Sequence, residues 1–364
     1  MSLYSQNFYR LLYAWYDANH RVLPWRETDN PYYIWLSEVI LQQTRVAQGM
    51  EYYDRFVRTY PTIDLLAAAD EDEVLRLWQG LGYYSRARNL HKAAKMIVES
   101  QTAALTDDRA STADRRQQSP ILFPQTFAEL RALPGVGEYT AGAIASFAYD
   151  QPYPALDGNV YRVLARLFDC EIPFDTSSGK KHFHRLAEEL LDREHPRQFN
   201  SAIMEFGALH CLPVSPDCAN CPLQAYCHAF AAGTAELLPV RKPRPTLRDR
   251  FFTYNIYITP ARTTLIRQRT DKDIWHHLYE FPLTEHPTEA EWLNDTPHPS
   301  ETQTAKQLPT ITHILSHQRL HVHFYLVATG ELPDIPGTIA VKWEDLDDYA
   351  LSRLTLKALE SIQI

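Results

Sequence analysis

The segment Leu133-Pro134-Gly135-Val136-Gly137-Glu138-Tyr139-Thr140-Ala141-Gly142-Ala143-Ile144 sets the architecture of the N-terminal half of the chain. Two glycines around one apolar residue make a tight hairpin, and the small residues that follow open a helix. Such a turn points backbone N–H groups outward at a helix N-terminus, a geometry that suits a phosphate. The same residues also suit an ordinary helix–turn–helix corner, and a lone Gly-x-Gly does not choose between the two.

Further along, four cysteines stand at Cys211-x6-Cys218-x2-Cys221-x5-Cys227, with Pro213, Pro216 and Pro222 interleaved. One Cys-x2-Cys between two longer gaps is not the doubled Cys-x2-Cys of a zinc ribbon. Four thiolates from one short loop can hold a cubane iron–sulfur cluster; zinc and disulfides stay open on spacing alone. No apolar run reaches the length of a membrane span, and MSLYSQNFYR has no signal-peptide core, so a cytoplasmic protein is expected. Thiols stay reduced there, which favours a metal centre. Cys170 lies in a helical-looking segment and reads as a buried structural thiol.

A chain of 364 residues, 45% hydrophobic, is long enough for two soluble domains. Residues 1–230 read as mostly helical, with helical periods in Phe8-x2-Leu11-Leu12-x2-Trp15-Tyr16 and Val74-Leu75-x-Leu77-Trp78. Turns fall at Leu23-Pro24, Tyr60-Pro61 and Gly80-Leu-Gly82. Residues 101–120 are polar without an apolar period and read as a flexible surface insertion. Residues 231–249 read as an interdomain linker. Residues 250–364 read as an α+β domain, with strands at Phe251–Ile258, Thr264–Arg267 and His321–Val327 and a terminal helix from Leu351 to Ile362. The net charge of −9 argues against a nucleic-acid partner. The strip Arg241-Lys242-Pro-Arg244-Pro-Thr-Leu-Arg248-Asp-Arg250 is locally basic; it could follow a phosphate backbone or simply be a solvated linker.

Two carboxylates draw notice. Asp157, in Asp157-Gly158-Asn159-Val160, opens a helical run to Phe168 and suits an N-cap that could also face a cleft. Glu38 lies in Trp35-Leu36-Ser37-Glu38-Val39-Ile40-Leu41-Gln42-Gln43-Thr44. At helical spacing it shares a face with Leu41, Gln42 and Arg45. Beside leucines and tryptophans its carboxyl would be desolvated and its pKa raised toward general-acid work; a solvent-facing pair with Gln42 or Arg45 is the plainer alternative.

These pieces occur together in one family. The chain resembles adenine DNA glycosylases of the MutY type, in the helix-hairpin-helix superfamily, over nearly its whole length. Beyond the hairpin and the cysteine loop, the resemblance rests on Leu23-Pro24-Trp25-Arg26, the Trp35–Thr44 stretch, Gly80-Leu-Gly-Tyr83-Tyr84-Ser-Arg86 and Leu156-Asp157-Gly-Asn159-Val160. It implies a helical glycosylase domain with a [4Fe-4S] cluster on the four cysteines, and a monomer acting on duplex DNA with adenine opposite 8-oxoguanine or guanine. It implies that adenine is flipped into a pocket. By the same resemblance Glu38 would protonate its N7, and Asp157 would stabilise or capture the oxocarbenium-like sugar. Tyr139 and Asn159 position those groups. Trp25, Arg26, Leu41 and Glu205 correspond to the adenine pocket. Gln43 and Tyr83 lie on the 8-oxoguanine side, with Gln42, Arg86 and the hairpin glycines Gly135 and Gly137 at the DNA.

Bifunctional relatives of the endonuclease III type carry a Schiff-base lysine where this chain has Tyr139, so a glycosylase without lyase activity is expected. The second domain resembles a Nudix fold at Leu265-Ile-Arg267-Gln-Arg269 and Trp275-His-His-Leu278-Tyr-Glu-Phe281-Pro282, without the acidic box that holds catalytic magnesium. The resemblance gives its loop His313-Ile314-Leu315-Ser316-His317 the 8-oxoguanine contact, through Ser316 and His317; Leu315 stands where the family has Phe. An endonuclease III-like lyase, an iron–sulfur scanning protein without catalysis and a Nudix hydrolase are the competing readings.

Overall fold

The computed structural model describes residues 6–107, 122–243, 246–295 and 304–362. Fourteen α-helices are assigned among them: α1 (Gln6–Asn19), α2 (Pro31–Ile40), α3 (Val46–Thr59), α4 (Ile63–Ala68), α5 (Glu71–Leu77), α6 (Ser85–Asp107), α7 (Phe127–Ala132), α8 (Glu138–Tyr149), α9 (Gly158–Leu167), α10 (Ser177–Leu190), α11 (Pro196–Leu209), α12 (His228–Ala232), α13 (Glu289–Asn294) and α14 (Arg353–Glu360). The strands are β1 (Arg248–Ile258), β2 (Thr263–Gln268), β3 (Tyr279–Glu280), β4 (Leu283–His286), β5 (Thr304–Gln307), β6 (Ile311–Ile314), β7 (Gln318–Ala328) and β8 (Ile339–Lys342). Packing divides the chain into two units. One joins Met1–Ala68 to Lys92–Pro243, and the other joins Ala69–His91 to Arg244–Ile364.

The first unit is helical. Helix α2 starts where the Asn30 side chain accepts from the Tyr32 N–H and Pro31 occupies the first turn. Its residues Ile34 to Ile40 are all buried, so it runs through the interior rather than along the surface. It packs on α8, which packs on α11, which in turn packs on α9 and α1. Phe8, Leu12, Val163, Leu164, Phe183, Leu190, Ile203 and Phe206 form the core between α1, α9, α10 and α11. The glycine hairpin is present. Helix α7 begins with a reciprocal capping box between Thr126 and Glu129, and Gly135 turns the chain at φ 76° into α8. The Arg131 Nη1 donates to the Val136 carbonyl at 2.7 Å and fixes that turn.

The second unit carries both sheets. Strand β1 runs parallel to β7 from Arg248↔Gln318 to Ile258↔Ala328, and the larger sheet has the order β4-β1-β7-β5 with β6 also on β7. A smaller sheet has the order β3-β2-β8. Phe252, Tyr254 and Ile256 alternate inward along β1 and meet Val322, Phe324 and Leu354.

Several sequence expectations shift. Residues 101–107, read as insertion, continue α6, because Ala103, Ala104 and Leu105 are good helix formers even without an apolar stripe. The rest of that segment, 108–120, lies outside the described residues. Strand β1 starts at Arg248, inside the expected linker. The Arg250 charge that suggested a linker is paired there with Glu285 at 2.7 Å and Asp273 at 2.8 Å. The last helix starts at Arg353 because Leu351 bridges to Tyr279 instead. Residues 69–91, read as part of the helical domain, group with the second unit.

Gly142 in α8 has no room for a side chain. A Cβ there would sit 2.7 Å from the Pro154 carbonyl oxygen, at the segment that leads into Asp157. Gly142→Ala should therefore destabilise the protein by about 1–3 kcal/mol despite alanine's better helix propensity, read as a lowered thermal midpoint. An unchanged midpoint would show that α8 can move away from that carbonyl freely.

Candidate active site

One cavity of about 550 Å³ in the first unit gathers most of the singled-out side chains. Its wall includes Trp25, Arg26, Glu38, Leu41, Gln42, Gln43, Tyr139, Asp157, Asn159 and Glu205. Glu38 comes from the buried helix α2 and is only 3% exposed. A buried carboxylate needs partners, and it has two. The Tyr139 hydroxyl, from the first turn of α8, donates to Glu38 Oε2. Arg26 Nη2 donates to Oε1 at 3.1 Å, while the same guanidinium lies 3.7 Å from the Phe147 ring centroid. Burial, followed by the neighbouring charges of Glu38 and Asp157, holds the Tyr139 phenol well above its ordinary pKa, so it remains a donor.

The described hydrogen bonds of Glu38 go to Tyr139 and Arg26 rather than to the Gln42 or Arg45 of the plainer expectation. Helix α2 ends at Ile40, Leu41 caps it, and Gln43 turns left-handed at φ 57°. Those residues leave the helical face on which the pairing depended. Gln42 Nε2 instead reaches Thr140 Oγ1 at 3.3 Å.

Asp157 is the N-cap of α9, its Oδ1 accepting from the Val160 N–H at 2.7 Å. Its other oxygen accepts from Asn159 Nδ2 at 2.8 Å. Arg162 Nη2 donates to Asn159 Oδ1 at 2.9 Å, and its Nε donates to the Cys211 carbonyl at 2.7 Å. Gly207 lets α11 approach this corner, since a Cβ there would lie 2.7 Å from Asn159 Cβ. A helix N-terminus by itself would favour an ionised Asp157, but the balance here runs the other way. Burial pushes its carboxyl up, outweighing the Val160 and Asn159 hydrogen bonds that pull it down, and the Glu38 charge adds to the rise.

Glu205, from α11, is clasped by Arg21 through Nε at 2.6 Å, Nη2 at 2.7 Å and the backbone N–H at 3.0 Å. Burial pushes its carboxyl up, but the Arg21 hydrogen bonds and charge win and hold it below its ordinary value. Sequence reasoning missed Arg21 and Arg162. Glu205 lies 184 positions from Arg21, and the Gly207 and Cys211 carbonyls lie 45 and 49 from Arg162, so local spacing shows at most the Asn159 contact of Arg162.

Other expected residues lie elsewhere. Gly135 and Gly137 belong to the hairpin and do not line the cavity. Tyr83, Arg86, Ser316 and His317 belong to the second unit. There the Tyr83 hydroxyl lies 2.8 Å from Ser316 Oγ. Arg86 lies over the Trp78 and Tyr83 rings at 5.0 and 5.6 Å, and burial lowers its pKa to about 10. The His317 carbonyl accepts from the Arg248 N–H at 3.1 Å.

Cys211, Cys218, Cys221 and Cys227 form no disulfide and line one small hollow in the first unit. Arg166 Nη1 lies 3.3 Å from Cys211 Sγ and donates to the Leu212 carbonyl at 2.7 Å, bracing the loop. Burial, then the neighbouring thiols, pushes Cys218, Cys221 and Cys227 up, Cys221 to about 12. Thiolates so placed require a cation to offset their charge, so the sulfur donor set fits a metal centre. Cys170 is buried, as read from the sequence.

Residues 36–192 match the HhH-GPD superfamily of base excision DNA repair proteins, and residues 253–361 match the NUDIX domain. The chain is 33% identical over 407 aligned positions to the adenine DNA glycosylase of Rattus norvegicus, covering 95% of this chain and 76% of that one. It is 31% identical to the adenine DNA glycosylase of Buchnera aphidicola subsp. Schizaphis graminum, covering 97% and 98%. Among solved structures, a thermostable thymine-DNA glycosylase superposes with a TM-score of 0.53 at 24% identity, covering 62% of this chain and 95% of that one, a likeness of fold.

The coupling of the two carboxylates can be measured directly. Asp157, identified by its loss in Asp157→Asn, should titrate above the ordinary 3.8 in carboxyl-carbon NMR. In Glu38→Gln the Asp157 midpoint should fall, because one negative neighbour is gone. A midpoint at or below 3.8 in the wild type would show that the Val160 and Asn159 hydrogen bonds prevail over burial.

Proposed function

The chain belongs to the adenine DNA glycosylase family, and on that footing we propose that it excises adenine mispaired with 8-oxoguanine or guanine in duplex DNA, without cutting the strand. The observation that carries this reading is the single cavity walled by Glu38, Tyr139, Asp157 and Asn159. An adenine extruded from the stack enters it. Glu38 delivers a proton to N7 and makes the base a leaving group. The Tyr139 hydroxyl and Arg26 hold the Glu38 carboxyl toward that atom. Departure of the base leaves an oxocarbenium-like sugar. Asp157, oriented by Asn159 and the Val160 N–H, stabilises this cation or captures it covalently. The cation also favours the ionised carboxylate that burial alone disfavours. Trp25, Leu41 and Glu205 complete the adenine pocket. No lysine is among the described side chains lining the cavity, which supports base removal without a Schiff base.

The hairpin glycines Gly135 and Gly137 offer their turn to a DNA phosphate, and Gln42, Gln43 and Arg86 meet the duplex. Opposite the adenine, Tyr83, Ser316 and His317 read 8-oxoguanine, supported by the contact between Tyr83 and Ser316. Leu315 packs against the core of the second unit, so this contact is polar rather than stacked. Cys211, Cys218, Cys221 and Cys227, which line one hollow, would hold a [4Fe-4S] cluster, and the cluster would supply a rigid cross-link of the loop.

Single-turnover reactions on an A:8-oxoguanine duplex test the catalytic assignment. Glu38→Gln should bind the duplex yet release adenine on the order of 10²-fold more slowly or worse. Strand breaks should appear only after alkali or heat. Near-normal release by Glu38→Gln would end its role as the acid, and a high-yield borohydride-trapped lysine adduct would establish a lyase instead. Anaerobically purified protein should contain iron; stoichiometric zinc without iron would overturn the cluster.

A further inference from the structure

We infer that Gln79 and Tyr84 are positioning residues that set the preference for 8-oxoguanine by holding Tyr83 to the backbone of Leu351; this rests on the reading that Tyr83 meets the duplex. The loop between α5 and α6 passes through Gly80 at φ 100°, Gly82 at φ 71° and Tyr83 at φ 47°. Glycine takes such angles freely. For tyrosine the left-handed region is strained and persists only when surrounding contacts enforce it. Tyr83 is 48% exposed, so its own packing does not supply that enforcement.

The flanking residues do. Leu351 is buried, and both polar groups of its backbone are met from this loop. Its N–H donates to Gln79 Oε1 at 3.0 Å, and its carbonyl accepts from the Tyr84 hydroxyl at 3.2 Å. The Tyr84 oxygen also accepts from the Gly80 N–H at 3.4 Å, tying the start of the turn to its end. Trp78 Nε1 and Arg86 Nη2 both donate to the Gly82 carbonyl, at 3.0 and 3.2 Å. The anchor itself is firm, because Leu351 bridges to Tyr279. Both ends of the segment are strapped to the same unit. Asp72 accepts from the Tyr279 hydroxyl at 3.2 Å, Glu71 pairs with His277, and Arg88 Nη1 donates to the His276 carbonyl at 2.5 Å. Tyr83 is thereby delivered to Ser316 already bent, and neither Gln79 nor Tyr84 needs to touch DNA to matter.

The test compares single-turnover adenine release from A:8-oxoguanine and A:G duplexes. Tyr84→Phe and Gln79→Leu should each lose about tenfold in the preference for 8-oxoguanine, with the A:G rate unchanged. Gln79→Glu, which keeps the acceptor, should retain the preference. In a Tyr83→Ala background neither change should lower the preference further, since nothing remains to position. If Tyr83→Ala loses the preference while Tyr84→Phe and Gln79→Leu keep it, the positioning role is overturned. It is also overturned if both duplexes slow equally, or if the double variants are additive. A Tyr83→Ala enzyme with full preference would overturn the reading of Tyr83 itself, and this inference with it.

Discussion

The buried guanidinium of Arg162 is the interaction on which the cavity wall depends. It reaches the carbonyls of Gly207 and Cys211 and the side-chain oxygen of Asn159. Because Arg is only a donor, Asn159 must present its oxygen to Arg162, and its amide N–H is left to face Asp157. The Asp157 carboxylate is thus aimed by a chain of groups, each with one allowed orientation. That chain starts at a cysteine of the four-thiol loop. Loss of Arg162 would take a donor from the buried Gly207 carbonyl and the part-buried Cys211 carbonyl and free the Asn159 amide to turn, which makes the brace costly to break as well as directional.

The cavity holds two carboxylates in different company. Glu38 sits in the interior, balanced by a phenol and a guanidinium. Asp157 sits at a helix start, balanced only by N–H groups and pushed up by burial and by Glu38. A site meant only to be stable would not place these charges together. The arrangement suits a reaction in which a cation forms beside the two carboxylates, because such a cation offsets the mutual repulsion that raises Asp157.

Much of this was legible in the chain, for identifiable reasons. The glycine hairpin, the Asp157 cap and the cysteine loop are local patterns, and local patterns survive into structure. Helix α2 was legible in its body but not at its end, since nothing in Leu41-Gln42-Gln43 announces a left-handed turn at Gln43. The start of β1 was hidden because Arg250 reads as linker until Glu285 and Asp273 are seen opposite it. Arg21, Arg162 and the strap on residues 69–91 were invisible for one shared reason. Except for Asn159 beside Arg162, the partners that define them lie tens to hundreds of positions away, as Tyr84 does from Leu351, 267 positions on.

Among the residues proposed to face duplex, two share a backbone trait. Gln43 at φ 57° and Tyr83 at φ 47° are both left-handed without being glycine. Such residues persist only where the fold over-determines them. At Gln43 the preceding helix is buried from Ile34 to Ile40 and Gln42 is tied to Thr140. At Tyr83 the enforcement comes from Leu351 and Trp78. A side chain that must be driven into a base stack benefits from a backbone that cannot relax away from it. Strain held by a rigid surround supplies that stiffness without requiring the side chain itself to be buried.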